Sequence, residues 1–291
     1  MHRRLIALVA TIASLTLWLP AAPAQAEPRS LPAHAVPTAN HLAVGDSIAA
    51  GVGVGKDHAY PAILDHLSRR LDLVDNVAVS GATVADVATQ LAAVPESDRA
   101  AVTRITLTVG ANDIGWGTAL YLCVNAPSDC ADTVVDPTTG ATLEQAVTAA
   151  MAGLAVSLPA LLVQAHQWYP NATIYVSSYY RLFGSKHKDC TLADGWVVDL
   201  VDKAWLNAMA DQLNATVKGS VVTANNAGEG RIAKYANAAT LFRGHGFCDS
   251  GSRWLFGPVE VALGVDPGAI AHPNYRGQAA YALAFLKARI A

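Results

Sequence analysis

Five short, apolar, β-branched runs recur along the chain: HLAV at 41–44, NVAVS at 76–80, RITLTV at 104–109, ATIYVSS at 172–178 and SVVTA at 220–224. Such runs read as strands buried on both faces. Between them apolar residues recur with helical period at about 58–70, 84–96, 143–169 and 196–218, and a last helix is expected over 274–289. This alternation predicts an α/β fold in which helices cover both faces of a five-stranded parallel sheet. Pro159 is expected to kink the long third helix. Two stretches follow neither period, 114–140 and 225–271. Long irregular segments in a compact domain usually line a binding site or are disordered, and the cysteines within these two favour the first role.

The amino terminus stands outside the pattern. His2-Arg3-Arg4, an apolar run over 5–19 and Ala24-Gln25-Ala26 form the three parts of a secretory signal over residues 1–26. The apolar run falls short of the roughly 20 residues a membrane span needs, and nothing later is expected to stop transfer. The expectation is a secreted, extracellular protein with no integral membrane segment. Residues 27–40, EPRSLPAHAVPTAN, read as a loose leader, and 41–291 as a single domain.

Charge and cysteine content narrow the function classes. Without the signal, 18 basic residues face 23 acidic ones, a net charge of −5, which argues against nucleic acid as a partner. Four cysteines in an exported chain suggest two disulfides, and three pairings are open. Sequence closeness favours Cys123 with Cys130, which leaves Cys190 for Cys248. No CxxC pair is present, so a metal site is not expected. The protein is expected to be a monomer.

Candidate chemistry gathers where the strands end. Ligands of open parallel sheets bind outside the carboxyl ends of the strands. Ser47 follows the first expected strand, Gly81 the second and Asn112 the third. A serine that attacks a carbonyl carbon needs fixed donors for the oxygen that turns negative. The N–H groups of Ser47 and Gly81 and the Asn112 side chain are of that kind. Asp46 is expected to hold the turn rather than to react. For the base, His272 in AIAHPNYRGQ lies just before the last helix, with Pro273 and Asn274 to start it. His245 in RGHGFCDS is the alternative. Trp116, Trp196, Trp254, Leu255 and Phe256 either form a groove for acyl chains or pack beneath the loops.

GDSIAAG, SGAT, GANDIG and HPNYRGQ, in this order, resemble the four signature blocks of the SGNH hydrolases, also called GDSL lipases and esterases. GHGFC and the four cysteines are similar to secreted actinobacterial members. The resemblance implies a flavodoxin-like three-layer α/β/α sandwich without metal or cofactor. It makes Ser47 the nucleophile, Ser47, Gly81 and Asn112 the oxyanion hole, and His272 the base. Many members have an aspartate three residues before the histidine, where this chain has Ala269. Either a backbone carbonyl of Ala269 or Ile270 orients the ring, which is the favoured reading, or Asp266 does. The implied function is hydrolysis of small-molecule or lipid carboxylic esters by a lipase, esterase or phospholipase. A polysaccharide deacetylase and a non-catalytic binding protein are the alternatives.

Overall fold

The computed structural model describes residues 38–291 apart from 126–128, 186–187, 194–195 and 229. The expected signal and most of the leader lie outside the described residues. In chain order, β1 (Ala39–Gly45) leads into α1 (Ser47–Ala50), followed by α2 (Tyr60–Leu67), β2 (Leu71–Asn76), α3 (Val84–Ala93), α4 (Glu96–Arg99) and β3 (Arg104–Thr108). Next come α5 (Trp116–Asn125), a hairpin of β4 (Val134–Asp136) and β5 (Ala141–Thr142), and α6 (Leu143–Trp168). β6 (Thr173–Ser177) precedes a second hairpin, β7 (Cys190–Ala193) with β8 (Trp196–Val198). The chain then forms α7 (Leu200–Ala227), β9 (Ala233–Ala236), α8 (Pro258–Ala262) and α9 (Tyr275–Lys287).

The central sheet has five parallel strands in the order β2-β1-β3-β6-β9. Counting only its own strands, the order is second, first, third, fourth, fifth, that of flavodoxin-like doubly wound folds. α2 packs with α9, and α6 packs with both α3 and α7, so two helical layers enclose the sheet. This double cover explains why β1 and β3 are almost wholly buried. Gly45 at the end of β1 has φ +132°, and a Cβ there would lie 2.3 Å from the Thr108 carbonyl oxygen, so only glycine lets β1 close onto β3 before the Ser47 turn.

The structure corrects several sequence expectations. The second strand is Leu71–Asn76, an edge strand whose alternating charges hid it. NVAVS runs on from it as extended backbone: Val77 N–H donates to Ala43 O and Val79 N–H to Gly45 O. SVVTA belongs to the last turns of α7, and the fifth strand is AKYA at 233–236. Leu206, Met209, Leu213, Val217, Val221 and Ala224 bury one stripe of α7 at helical spacing, which overrides the strand preference of Val221, Val222 and Thr223. Trp196–Val198, expected to open that helix, is strand β8. The irregular 114–140 stretch contains α5 and the strand β4. Ala39 and Asn40, assigned to the leader, are the first residues of β1. Against the expectation of no later apolar span, α6 has the length and composition of a membrane-crossing helix. Its buried stripe, including Met151, Leu154, Leu158 and Leu162, joins the core between α3 and α7.

Two disulfides tie the loops. Cys123 at the end of α5 bonds Cys130, and Cys190 in β7 bonds Cys248. The Cys130 N–H also donates to Asp202 Oδ1 at 2.7 Å, which fastens the first loop to α7.

Candidate active site

β1 pairs with β3 up to Gly45 and Thr108, so the chain leaves both strands at the same edge. Asp46 caps α1 by accepting from the Ile48 N–H, and Ser47 is the first residue of that helix. At the other end of the domain, Asn274 caps α9 by accepting from the N–H groups of Arg276 and Gly277. The loop before it carries His272. The two meet: His272 Nε2 lies 2.8 Å from Ser47 Oγ.

The other ring nitrogen fixes which way the proton points. His272 Nδ1 lies 3.2 Å from the Ile270 carbonyl oxygen. A carbonyl only accepts, so Nδ1 carries the hydrogen and Nε2 presents its lone pair to the serine hydroxyl. Burial lowers the His272 pKa below that of free imidazole, while the carbonyls of Ile270, Ala269 and Gly268 act in the opposite sense. The His272 imidazole is therefore neutral at pH 7. Asp266 does not reach the ring; its carboxylate accepts from the Gly268 N–H at 2.7 Å and caps the turn over 267–269. His245 is also elsewhere, stacked on Trp254 with ring centroids 3.6 Å apart and hydrogen-bonded to Ser252 O.

Tethers join the segments that carry Gly81 and Asn112 to each other and to the end of β1; Asn112 lines the same cleft as Ser47, and Gly81 does not. The extended segment after β2 is held along β1 as far as Gly45 by the Val79 N–H, and Asn112 Nδ2 donates to Ala82 O at 3.0 Å. Asp113 reinforces the link by accepting from the Val84 N–H at 3.0 Å. Gly81 has φ +84°, which favours glycine. The N–H groups of Ser47 and Gly81 have no hydrogen-bond partner among the described residues.

A cleft of about 710 Å³, open mouth included, adjoins Ser47 and His272. Its walls include Ile48, Trp116, Leu120, Tyr179, Leu213 and Ile270. Of the aromatic and apolar residues proposed from the sequence as a groove, only Trp116 lines it. Trp254, Leu255 and Phe256 instead anchor the histidine loop: Asn274 N–H donates to Trp254 O, Phe256 N–H to His272 O, and Ala271 N–H to Phe256 O. Trp196 lies outside the cleft in β8, 39% exposed.

Sequence reasoning missed two tyrosines. The Tyr179 hydroxyl donates to the Asp46 carboxylate, and the Tyr180 hydroxyl donates to Ala271 O at 2.6 Å. The sequence signal was their position directly after β6, at the same edge as the other groups. Asp46 is wholly buried and also accepts from Thr108 Oγ1 at 2.7 Å and Ile48 N–H at 3.0 Å. Burial pushes its pKa up to about 6 against the pull of these three donors.

Fold and edge place the chain among α/β enzymes that cleave carboxylic esters. It belongs to the GDSL-like Lipase/Acylhydrolase family, which its residues 43–280 match. A lipase of Streptomyces rimosus is 28% identical to it over 290 residues, covering 92% of this chain and 93% of the relative. Among solved structures, an extracellular lipase from Streptomyces rimosus is similar at a TM-score of 0.65 and 24% identity, over 86% of this chain and 100% of the other. Phospholipase A1 from Streptomyces albidoflavus NA297 is similar at 0.64 and 22% identity, over 86% of this chain and 99% of the other.

Proposed function

We propose that this ester hydrolase is a secreted serine lipase or esterase working through an acyl-enzyme on Ser47. The observation that carries the reading is the Ser47 Oγ to His272 Nε2 contact of 2.8 Å, with His272 Nδ1 anchored on the Ile270 carbonyl. Ser47 Oγ attacks the ester carbonyl while His272 Nε2 takes its proton. The carbonyl oxygen becomes negative and is met by the N–H groups of Ser47 and Gly81 and the Asn112 amide. His272 returns the proton to the departing alcohol, then takes one from the water that attacks the acyl carbon and passes it to Ser47 Oγ as the acyl–Oγ bond breaks and the acid leaves. The Ile270 carbonyl orients the ring where an aspartate would stand, making a Ser-His dyad. No step requires a metal or cofactor.

The apolar walls of the cleft favour an acyl chain over a bare acetyl group, and so favour a lipid or other fatty ester over acetylated polysaccharide. Export rests on the signal pattern of residues 1–26, the two disulfides and the similarity to an extracellular lipase. Turnover of p-nitrophenyl esters of graded acyl length tests the substrate reading. The expected result is a kcat/KM that rises from acetyl to medium chains and is abolished by Ser47→Ala. A maximum at acetyl overturns the lipid reading, and an active Ser47→Ala overturns the mechanism.

A further inference from the structure

Ser47, at the start of α1, and His272, on the loop before α9, come from opposite ends of the domain's sequence, and the contact between them needs the α1 turn and the histidine loop fixed at once. Two adjacent residues reach both. After β6 the chain places the Tyr179 hydroxyl on Asp46, next to the nucleophile, and the Tyr180 hydroxyl on the carbonyl of Ala271, next to the base. Ala271 has φ +66°, a conformation that alanine adopts only when its surroundings impose it. The dipeptide is itself held rigidly: Asn214 of α7 accepts from the Tyr179 N–H and donates to the Tyr179 carbonyl, both at 2.7 Å. Its rings are braced as well, with Tyr180 stacked on Phe242 at 4.5 Å between centroids.

We propose that Tyr179 and Tyr180 are positioning residues that together set the Ser47–His272 contact, Tyr179 through Asp46 and Tyr180 through Ala271. This rests on the reading of Ser47 as nucleophile and His272 as base. The two arms differ chemically, because a carboxylate titrates and a carbonyl does not. Asp46 is acted on by three donors, the Tyr179 hydroxyl, Thr108 Oγ1 and the Ile48 N–H, and by one further charge, Asp113 after β3, which raises its pKa; among the described residues no cation is one of them. The Asp46 charge in turn raises the pKa of the phenols that face it, Tyr179 and Tyr180 after β6, Tyr60 of α2 and Tyr281 of α9. The ionised form of Asp46 therefore depends on its donors, of which Tyr179 has the largest effect. Without the phenol, Asp46 takes up a proton at higher pH. Its carboxyl then donates where it had accepted, and the turn that carries Ser47 loosens.

The test is kcat against pH for Tyr179→Phe, Tyr180→Phe, Asp46→Asn and the Tyr179→Phe/Asp46→Asn double variant, on a soluble short-chain ester. Tyr179→Phe is expected to lower kcat about twofold at pH 7 and up to about tenfold towards pH 5, with little change in KM. Its activity should recover as pH rises, with the acid limb moved up by about one pH unit. Tyr180→Phe should lower kcat with the limb unmoved. Asp46→Asn should lower kcat and abolish the effect of adding Tyr179→Phe. Wild-type kcat and profile in both tyrosine variants overturns the proposal, as does a loss confined to KM, which would make the rings only a wall of the cleft. A Tyr179→Phe loss that multiplies with that of Asp46→Asn also overturns it. Should a variant fail to fold, infrared titration of the wild type against Asp46→Asn reads the Asp46 carboxyl directly. A band that titrates near pH 6 supports the arm through Tyr179, and one that titrates near pH 4, as an exposed aspartate does, overturns it. An active Ser47→Ala would instead remove the underlying reading, whatever the tyrosines do.

Discussion

At the scale of residues, the candidate site separates groups that announce themselves from groups that do not. Ser47, Gly81 and Asn112 stand in short, unusual strings after strand ends and His272 in one just before the last helix, so residue type and position single them out as candidates. Asp46 was readable as the residue that holds the turn, which its cap on the Ile48 N–H bears out; its links to Tyr179 and Thr108, and that of Tyr180 to Ala271, were opaque because they join residues far apart in sequence. The lowered His272 pKa gives a first prediction: if His272 is the base as proposed, the acid limb of kcat/KM should fall below the free-imidazole value near 6.5, as a pH–rate profile would reveal. Because Asp266 only caps a turn, Asp266→Asn should change turnover less than about threefold; a loss beyond about 10³-fold would make it the orienting carboxylate. Asn112→Ala should reduce kcat by about 10²–10³-fold with a small change in KM, since the amide would bind the charged oxygen better than the neutral carbonyl. Steady-state kinetics separate that result from a loss in KM alone, which would leave Asn112 a binding group.

At the scale of elements, strands buried on both faces were readable as β-branched runs, and the capped helices by their period. The failures have physical causes. β2 is an edge strand and carries the charges of LDLVDN, so it lacks the apolar run that marks a central strand. The end of α7 carries that run but is held helical by its buried stripe, while the true fifth strand, AKYA, is too short to stand out. Irregular loops beyond these elements depend on covalent ties. Cys190–Cys248 joins the β7–β8 hairpin to the segment that carries His245, across a sequence separation of 58. Replacing both cysteines by alanine should lower stability by about 2–5 kcal/mol, measurable by denaturant unfolding. The Ser47–His272 pair is not directly tied by this bond, so activity of the folded fraction should survive; its loss would mean that the hairpin shapes the cleft.

For the whole molecule, two buried titratable groups next to the sheet pull stability in opposite directions with pH. His41 in β1 is held neutral by burial, with its pKa lowered to about 3. Its unfolded form takes a proton near pH 6.5, so its contribution is complete above that pH and is lost as pH falls towards 3. Asp46 is raised to about 6. Its folded form takes a proton first, so its contribution is complete below the unfolded value near 3.8 and is lost as pH rises through 6. Between about pH 4 and 6 the two slopes offset. Asp46→Asn removes one of them, so the variant should lose stability relative to wild type as pH drops from 6 to about 4, by up to about 3 kcal/mol. Unfolding curves across this range decide it, and parallel curves for the two proteins would mean that Asp46 does not titrate there. The five-stranded α/β architecture itself was legible from the alternation of elements, even with two strands misplaced, because sheet order follows from the few topologies that right-handed crossovers allow.

The distance along the chain between the reacting groups has a consequence for biosynthesis. Ser47 emerges early, while His272 and the helix that seats its loop occupy the last 20 residues. On the proposed mechanism, a growing chain that still lacks the segment around His272 holds a nucleophile without its base, and acquires hydrolytic power only when that segment docks beside β1.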